Sequence, residues 1–220
     1  MASQLPDDRP PLSSPPRHGG VVERIKGLIL TPREEWARID AEPMTVKGIM
    51  TGWAAPLAAI GPLATLIGIQ LWGFRAFGIV YRPPIGSSIA TAVVSYLTAL
   101  VGVYVLALII DNIAPSFGAK RDMVKATKVA VFASTAAWLA QIFGIIPPLA
   151  ALAIVGLYSL YLLWIGLPML MQPPADKAVT YTVVAIACGV VAMLVVSFVI
   201  GLVSAAFTPP VTSPGSISVG

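Results

Sequence analysis

The apolar residues of this chain fall into five long runs that are almost free of charge, separated by short polar or proline-rich stretches. About 20 apolar residues at 1.5 Å each suffice to cross the hydrocarbon core of a bilayer, and each run reaches about that length. The pattern predicts an all-α integral membrane bundle of five transmembrane helices. The predicted spans are residues 49–71, 87–110, 126–146, 149–171 and 179–207.

Residues 21–47, before the first span, have the periodicity of two short amphipathic helices. Thr31 suits the N-cap of the second helix and Pro32 its first helical position. That helix places Trp36 and Ile39 on one side. We expect the pair of helices to lie in the membrane interface with Trp36 and Ile39 as anchors. A small cap packed on the end of the bundle is the alternative.

The two ends of the chain differ in composition from the middle. Residues 1–20 contain five prolines and almost nothing apolar, and residues 208–220 show no periodicity, so both are predicted as disordered tails. The N-terminal tail lacks a basic segment followed by an apolar one, so the first span is expected to act as an uncleaved insertion signal. Residues 48–207 form the predicted transmembrane domain.

The basic residues are distributed unequally between the two sides of this topology. Twelve of the fourteen Lys and Arg residues lie on one side, in the N-terminal segment and in the loops after the second and fourth spans; only Arg75 and Arg82 lie on the other. The positive-inside rule therefore predicts a cytoplasmic N-terminus and an outside C-terminus.

The composition agrees with a membrane protein: 57% of the residues are hydrophobic and 11% are charged. The net charge of +4 follows the topology and does not indicate nucleic-acid binding. One cysteine, Cys188, excludes an internal disulfide, and the only histidine, His18, lies in the N-terminal tail. We therefore expect neither a metal site nor a cofactor.

Two tyrosines occupy an unusual position near the middle of the fourth span. Tyr158 and Tyr161 are too deep for interfacial water, so their hydroxyls need partners on other helices or in a wet cavity. Tyr96, at comparable depth in the second span, is the expected partner, and Pro168 is expected to bend the fourth helix. Packing and a solute site both remain open for this cluster.

Charged and small residues suggest two further contacts. Asp111 closes the second span within reach of Lys125 or Lys128, which predicts a helix-end salt bridge; a gate or partner contact is the alternative. Small residues recur every four positions in the fifth span and allow close helix packing within the bundle or between copies. These are Ser197, Gly201 and Ala205.

No catalytic constellation is visible. Candidate nucleophiles in the membrane, such as Ser95 and Ser159, have no histidine, lysine or carboxylate partner at mid-depth, and no glycine-rich phosphate loop precedes a helix. We expect a protein that is not an enzyme.

The fourth span and the turn after it resemble the bacterial branch of the Yip (Ypt-interacting protein) family. Its pattern LYxLYLLxxGLPxLM followed by P-x-x-K-A-x-x-Y-T matches residues 157–171 and then Pro174, Lys177 and Tyr181. The resemblance implies five membrane helices with a cytoplasmic N-terminus and, for a bacterial member, location in the inner membrane. The D-L-x-G-P motif of eukaryotic members that associate with Rab-type GTPases is missing, so the resemblance carries no GTPase partner here.

Two functions remain open at this stage. One is a non-enzymatic membrane scaffold or organiser that acts through lipid, membrane-protein or cytoplasmic-protein partners. The alternative is a small-solute or lipid channel or transporter that uses a tyrosine-lined cavity at the midplane. A continuous polar cavity through the bundle favours the second, and a packed interior favours the first.

Overall fold

A computed structural model describes residues 20–76, 79–207 and 216–219 of the chain. Five of its helices are long and apolar enough to cross a membrane, which confirms the predicted all-α membrane bundle. Each of these candidate spans overlaps one of the predicted spans, and the second reaches Phe117, seven residues past its predicted end. The candidate spans are Val46–Trp72, Ile85–Phe117, Met123–Ile145, Ala151–Met171 and Ala175–Val195.

Two short helices precede the bundle, as the amphipathic pattern predicts. Helix α1 covers Val21–Leu30 and α2 covers Pro32–Ala41, and they pack against each other as a helical hairpin, the name used below for residues 21–42. Pro32 takes the first position of α2, where its missing N–H costs nothing. The side chain of Thr31 does not cap α2; its hydroxyl instead donates to the carbonyl of Gly27.

Prolines interrupt the first span twice. It consists of α3 (Val46–Ile49), a π-helical turn (Met50–Ala54), α4 (Ala55–Ala58) and α5 (Ile60–Trp72). Pro56 and Pro62 each lack the N–H that a regular helix donates four residues back. The π-helical turn lies just before Pro56, and the helix breaks at Ala59, just before Pro62.

The other four spans have simpler boundaries. Helix α6 covers Ile85–Ile113 and continues as a 3₁₀ turn over Ala114–Phe117; α7 covers Met123–Ala140 and ends in a 3₁₀ segment over Gln141–Ile145. The fourth span begins as a 3₁₀ helix over Pro147–Leu157 and becomes α8 over Tyr158–Met171. Helix α9 covers Ala175–Phe207. Pro168 lies inside α8 without interrupting it.

A small sheet lies at one end of the bundle. Strands β1 (Phe74–Ala76) and β2 (Ile79–Arg82) pair antiparallel in the connection between the first two spans. Strand β3 (Ser216–Val219) pairs antiparallel with β2. The predicted disordered tail is therefore wrong for residues 216–219, whose backbone groups are paired in the sheet.

The two ends of the bundle are chemically different. We call the end with residues 42–46, 114–122 and 172–174 the basic end, and the opposite end, with residues 73–84 and 146–148, the far end. The core is densest toward the basic end, where the following side chains are fully buried: Leu28, Trp36, Ile39, Ile110, Val129, Leu162, Leu167 and Tyr181.

Close backbone contact fixes the first span against the end of the third. A Cβ atom added to Gly68 would lie 2.6 Å from the carbonyl oxygen of Gly144. One added to Gly144 would meet nothing within 4 Å. Only the first glycine is therefore required by packing.

Gly68→Ala should destabilise the bundle by about 1–3 kcal/mol, since the obstructing atom is backbone and cannot rotate away. Gly144→Ala, the matched control, should change stability by no more than about 0.5 kcal/mol. Thermal unfolding of both variants in one detergent measures the difference. Equal effects would contradict this packing.

Candidate functional site

The helical hairpin is docked on the basic end by the packing of α2 along α8. Trp36 is fully buried, and its ring fills the space left by the missing side chain of Gly166: an added Cβ there would lie 2.4 Å from Trp36 Cζ2. Ile39 is also fully buried. The prediction that Trp36 and Ile39 anchor the protein in lipid is therefore wrong. Both side chains bury their apolar surface in the bundle, as the cap alternative expects.

A buried lysine joins the hairpin to the third span. Lys128 of α7 is 3% exposed, and its Nζ donates to the carbonyl oxygens of Ile39 (2.7 Å), Asp40 (3.3 Å) and Glu42 (2.6 Å). The last carbonyls of a helix have no intrahelical partner and carry partial negative charge. The ammonium group, with three donors, therefore caps the C-terminus of α2 across the interface.

Arg24 joins α1 to α2 and to the bundle. Its Nε lies 3.5 Å from Glu35 Oε1, and its Nη2 also pairs with Glu42. The guanidinium carbon lies 5.9 Å from the ring centroid of Trp53 and 5.5 Å from that of Phe132, close enough for cation–π attraction. The charge is thus shared between carboxylates of α2 and its linker and aromatic faces of the bundle.

Glu35 is buried at the centre of this network. Besides Arg24 it accepts from Arg38 Nη1 at 3.3 Å, and its carboxylate packs against Gly27, where an added Cβ would lie 2.5 Å from Oε2. We call the interface between the hairpin and the bundle the dock. At its edge, Lys125 Nζ lies 3.0 Å from Asp40 Oδ1. Sequence reasoning did not single out Arg24, Glu35, Gly27 or Gly166. Their contacts form only when α1 folds onto α2 and the hairpin packs on the bundle.

The partner predicted for Asp111 is wrong. Asp111 is buried, and it accepts from Arg121 Nε at 3.1 Å, while Lys125 and Lys128 turn toward the hairpin. Arg121 lies in the loop before α7, nearer to the end of α6. The salt bridge at the helix end is real, but another cation forms it.

The predicted tyrosine cluster forms only in part. The rings of Tyr158 and Tyr161 lie 5.2 Å apart, but the Tyr158 hydroxyl donates to the carbonyl of Ile29 at 3.0 Å. Tyr161 is 48% exposed. Tyr96 belongs to α6, which packs mainly on α7 and α9, so it is not the partner. The hairpin takes the place that sequence reasoning assigned to the second span.

The turn motif after the fourth span packs against the end of the second. Pro174 contacts Gly118, where an added Cβ would lie 3.1 Å from the proline ring and where φ is +75°. Tyr181 is fully buried and donates to the carbonyl of Ile110 at 2.6 Å, with its ring stacked on Phe117. Lys177 is exposed. The motif therefore has a structural role in joining α9 to α6.

The small-residue series of the fifth span is only partly described. Ser197 is exposed on α9, whereas the side chains of Gly201 and Ala205 lie outside the described part. Self-association through this series stays a prediction.

Two clefts open on opposite halves of the bundle. The first, of about 240 Å³, lies between the first and second spans toward the far end and is lined by hydroxyl groups such as those of Thr65, Thr91 and Ser95. The second, of about 510 Å³, lies beside the hairpin. It is lined by Arg24 of the hairpin, by residues of the first span such as Trp53, and by Phe132 of the third span. The two clefts share no lining residue.

Lys128→Met should release the C-terminus of α2, because it leaves three carbonyl groups without their donor, and each buried unpaired group costs about 1–3 kcal/mol. Trypsin cleavage after Arg38 in detergent should become faster. Lys125→Met removes the same charge from a partly exposed pair worth about 0–1 kcal/mol and is the matched control. Indistinguishable cleavage rates for the two variants would contradict the proposed role of Lys128.

Comparison with known proteins identifies the family of this fold. A family model described as the Yip1 domain matches residues 26–207, from within α1 to the end of α9. No curated protein and no solved structure matches the chain. The match covers most of the chain, including the hairpin helix α2 and all five spans. The chain is therefore a multi-pass integral membrane protein that belongs to the Yip family.

Proposed function

We propose that this protein is a non-enzymatic scaffold of the bacterial inner membrane that presents its helical hairpin in a fixed position to protein or lipid partners. The observation that carries the proposal is the apolar core of the bundle at the basic end. Buried side chains from α2, α6, α7 and α8 form one cluster there, as Trp36, Ile110, Val129 and Leu167 illustrate.

The clefts support a scaffold over a conduit. Between them the first span carries Ala54, Leu57 and Ala58, all buried against the other helices. The far-end cleft is bounded by Gln141, whose side chain lies against Gly61. A conduit needs a continuous polar path, and these two openings are separated by about two turns of packed apolar helix.

The charged groups at the dock support a role without catalysis. Arg24, Glu35 and Lys128 are engaged with partners in the hairpin and the bundle, so their charges stabilise the docked position. A catalytic group must instead face a substrate and be able to exchange protons with it. This arrangement suits a rigid attachment of the hairpin to the bundle.

The outer surface of the hairpin is the proposed partner surface. It presents charged side chains of both signs away from the bundle, which suits recognition of a polar protein surface. Glu23, Glu34 and Arg38 are exposed on this surface.

The proposed orientation places the basic end in the cytoplasm. Lys and Arg are concentrated at this end, and cytoplasmic loops carry that excess. The odd number of spans then places the end of α9 outside.

Single cysteines test the orientation in a Cys188→Ala background. Lys120→Cys, in the exposed loop before α7, should be protected from a membrane-impermeant maleimide added to intact spheroplasts. Arg82→Cys, exposed at the far end, should be labelled. The reverse pattern would overturn the proposed orientation.

Photocrosslinking in living cells tests the scaffold role. A photoreactive phenylalanine analogue at Glu23, on the outer surface of the hairpin, should give discrete protein adducts, whereas one at Val93, exposed on the second span, should not. Lys128→Met should weaken the Glu23 adducts, because the hairpin is no longer held in position.

A flux assay tests the alternative directly. Liposomes that contain the purified protein should show the same permeability to glycerol and to potassium ions as protein-free liposomes. Increased permeability that Thr65→Leu abolishes would instead favour a conduit through the hydroxyl-lined cleft and contradict the scaffold proposal.

A further inference from the structure

The tip of the helical hairpin is apolar and uncovered. Ile29 is 44% exposed and Leu30 is 75% exposed, although their neighbour Leu28 is fully buried in the dock. The hydrogen bond from Tyr158 to the Ile29 carbonyl holds the tip against the fourth span. The tip therefore has a fixed height relative to the bundle.

That height follows from helix geometry. Tyr158 is the first residue of α8, which ends at Met171 on the basic end. Thirteen residues at 1.5 Å each place Tyr158 about 20 Å from that end. The tip thus lies far along the bundle, beside lipid-facing positions of the fourth span such as Leu160, which is 45% exposed.

Exposed aromatic side chains mark where the hydrocarbon core ends. Trp164 is 43% exposed, Tyr161 is 48% exposed and Tyr104 of α6 is 40% exposed. By the same rise these residues lie about 10–15 Å from the basic ends of their helices. Tryptophan and tyrosine are enriched at the membrane–water interface, so these three residues set the interface below the tip. Tyr161 then lies at the interface and not at the mid-membrane depth expected from the sequence.

Helix lengths agree with the same placement. Ile85–Phe117 has 33 residues and α9 has 33, about 50 Å each, whereas the hydrocarbon core is about 30 Å thick. The surplus extends from the membrane at the basic end, where the charges lie. The lower part of the hairpin, with exposed Glu23 and Arg38, is then in water.

We propose that the hairpin tip inserts Ile29 and Leu30 into the adjacent leaflet beside the fourth span, so that the docked hairpin is a lipid-contacting wedge. Lys26 and Arg33, both exposed, lie about one turn below Leu30, level with the headgroups, where their cations meet lipid phosphates. Apolar side chains flanked by cations are the pattern of an interfacial anchor. The inference goes beyond the scaffold proposal and holds for either orientation of the bundle.

Nitroxide labels on the full chain test the insertion. In a Cys188→Ala background, Leu30→Cys is labelled and reconstituted in phosphatidylcholine vesicles that contain a minority of phosphatidylglycerol. Labels at Arg38, on the outer surface, and at Leu97, exposed on the second span, are the aqueous and mid-membrane controls. The Leu30 label should be accessible to oxygen and protected from a water-soluble nickel complex, at a depth between the controls.

Two outcomes overturn the proposal. A Leu30 label as accessible to the nickel complex as the Arg38 label places the tip in water. A label protected from both oxygen and nickel places it against protein, either a second copy or another partner.

A second variant gives an independent measurement. Leu30→Asp should leave the dock intact, because Trp36 and Lys128 are not touched, but should withdraw the tip from the leaflet. Trypsin cleavage after Arg33 in the same vesicles should then be about tenfold faster, whereas Leu30→Phe should cleave at the original rate. An unchanged rate for Leu30→Asp would also overturn the proposal.

Discussion

The ammonium group of Lys128 is the interaction on which the basic end depends. It lies buried among helices, where an uncompensated charge is expensive, and the three carbonyls that compensate it belong to α2 and its linker. Lys128 of the third span therefore finds its hydrogen-bond acceptors in the hairpin and its linker. The hairpin is a required part of the fold, since it completes the hydrogen bonding of a residue inside a transmembrane helix.

The hairpin in turn contacts the bundle through its own charged and aromatic side chains. The hairpin brings the Arg24–Glu35 ion pair into the dock, where the Arg24 guanidinium also lies against the aromatic rings of Trp53 and Phe132. Trp36 then closes the dock, because only a glycine at position 166 leaves room for its ring. The hairpin and the bundle therefore fit together through Lys128, the Arg24–Glu35 ion pair and the Trp36 side chain.

The sequence was sufficient for the spans but not for the dock, and the reason is physical. Span boundaries depend on hydrophobicity along the chain, which is local, so the five helices were predicted within a few residues. The cation that pairs with Asp111 depends on which face of α7 points toward the hairpin. Lys125 and Lys128 contact the hairpin, and Asp111 pairs with Arg121. Helix α7 begins at Met123, before the predicted start of the third span, so Lys128 lies more than one turn inside the helix and needs a polar partner there. Likewise Tyr158 needed an acceptor, and sequence could not distinguish Ile29 from the second span.

The contrast between the two ends follows from these contacts. Toward the far end, the first and second spans separate around hydroxyl-lined space, because short side chains such as Thr91 and Ser95 bond to their own helix or remain exposed. Toward the basic end, apolar side chains such as Trp36 and charged side chains such as Lys128 hold an extra pair of helices. The Lys128 and Arg24 contacts join the hairpin to the bundle at this end, so the two extra helices are fixed to one end of the bundle. This asymmetry supports the proposed scaffold, because the surface that the hairpin presents then has a constant position relative to the membrane helices.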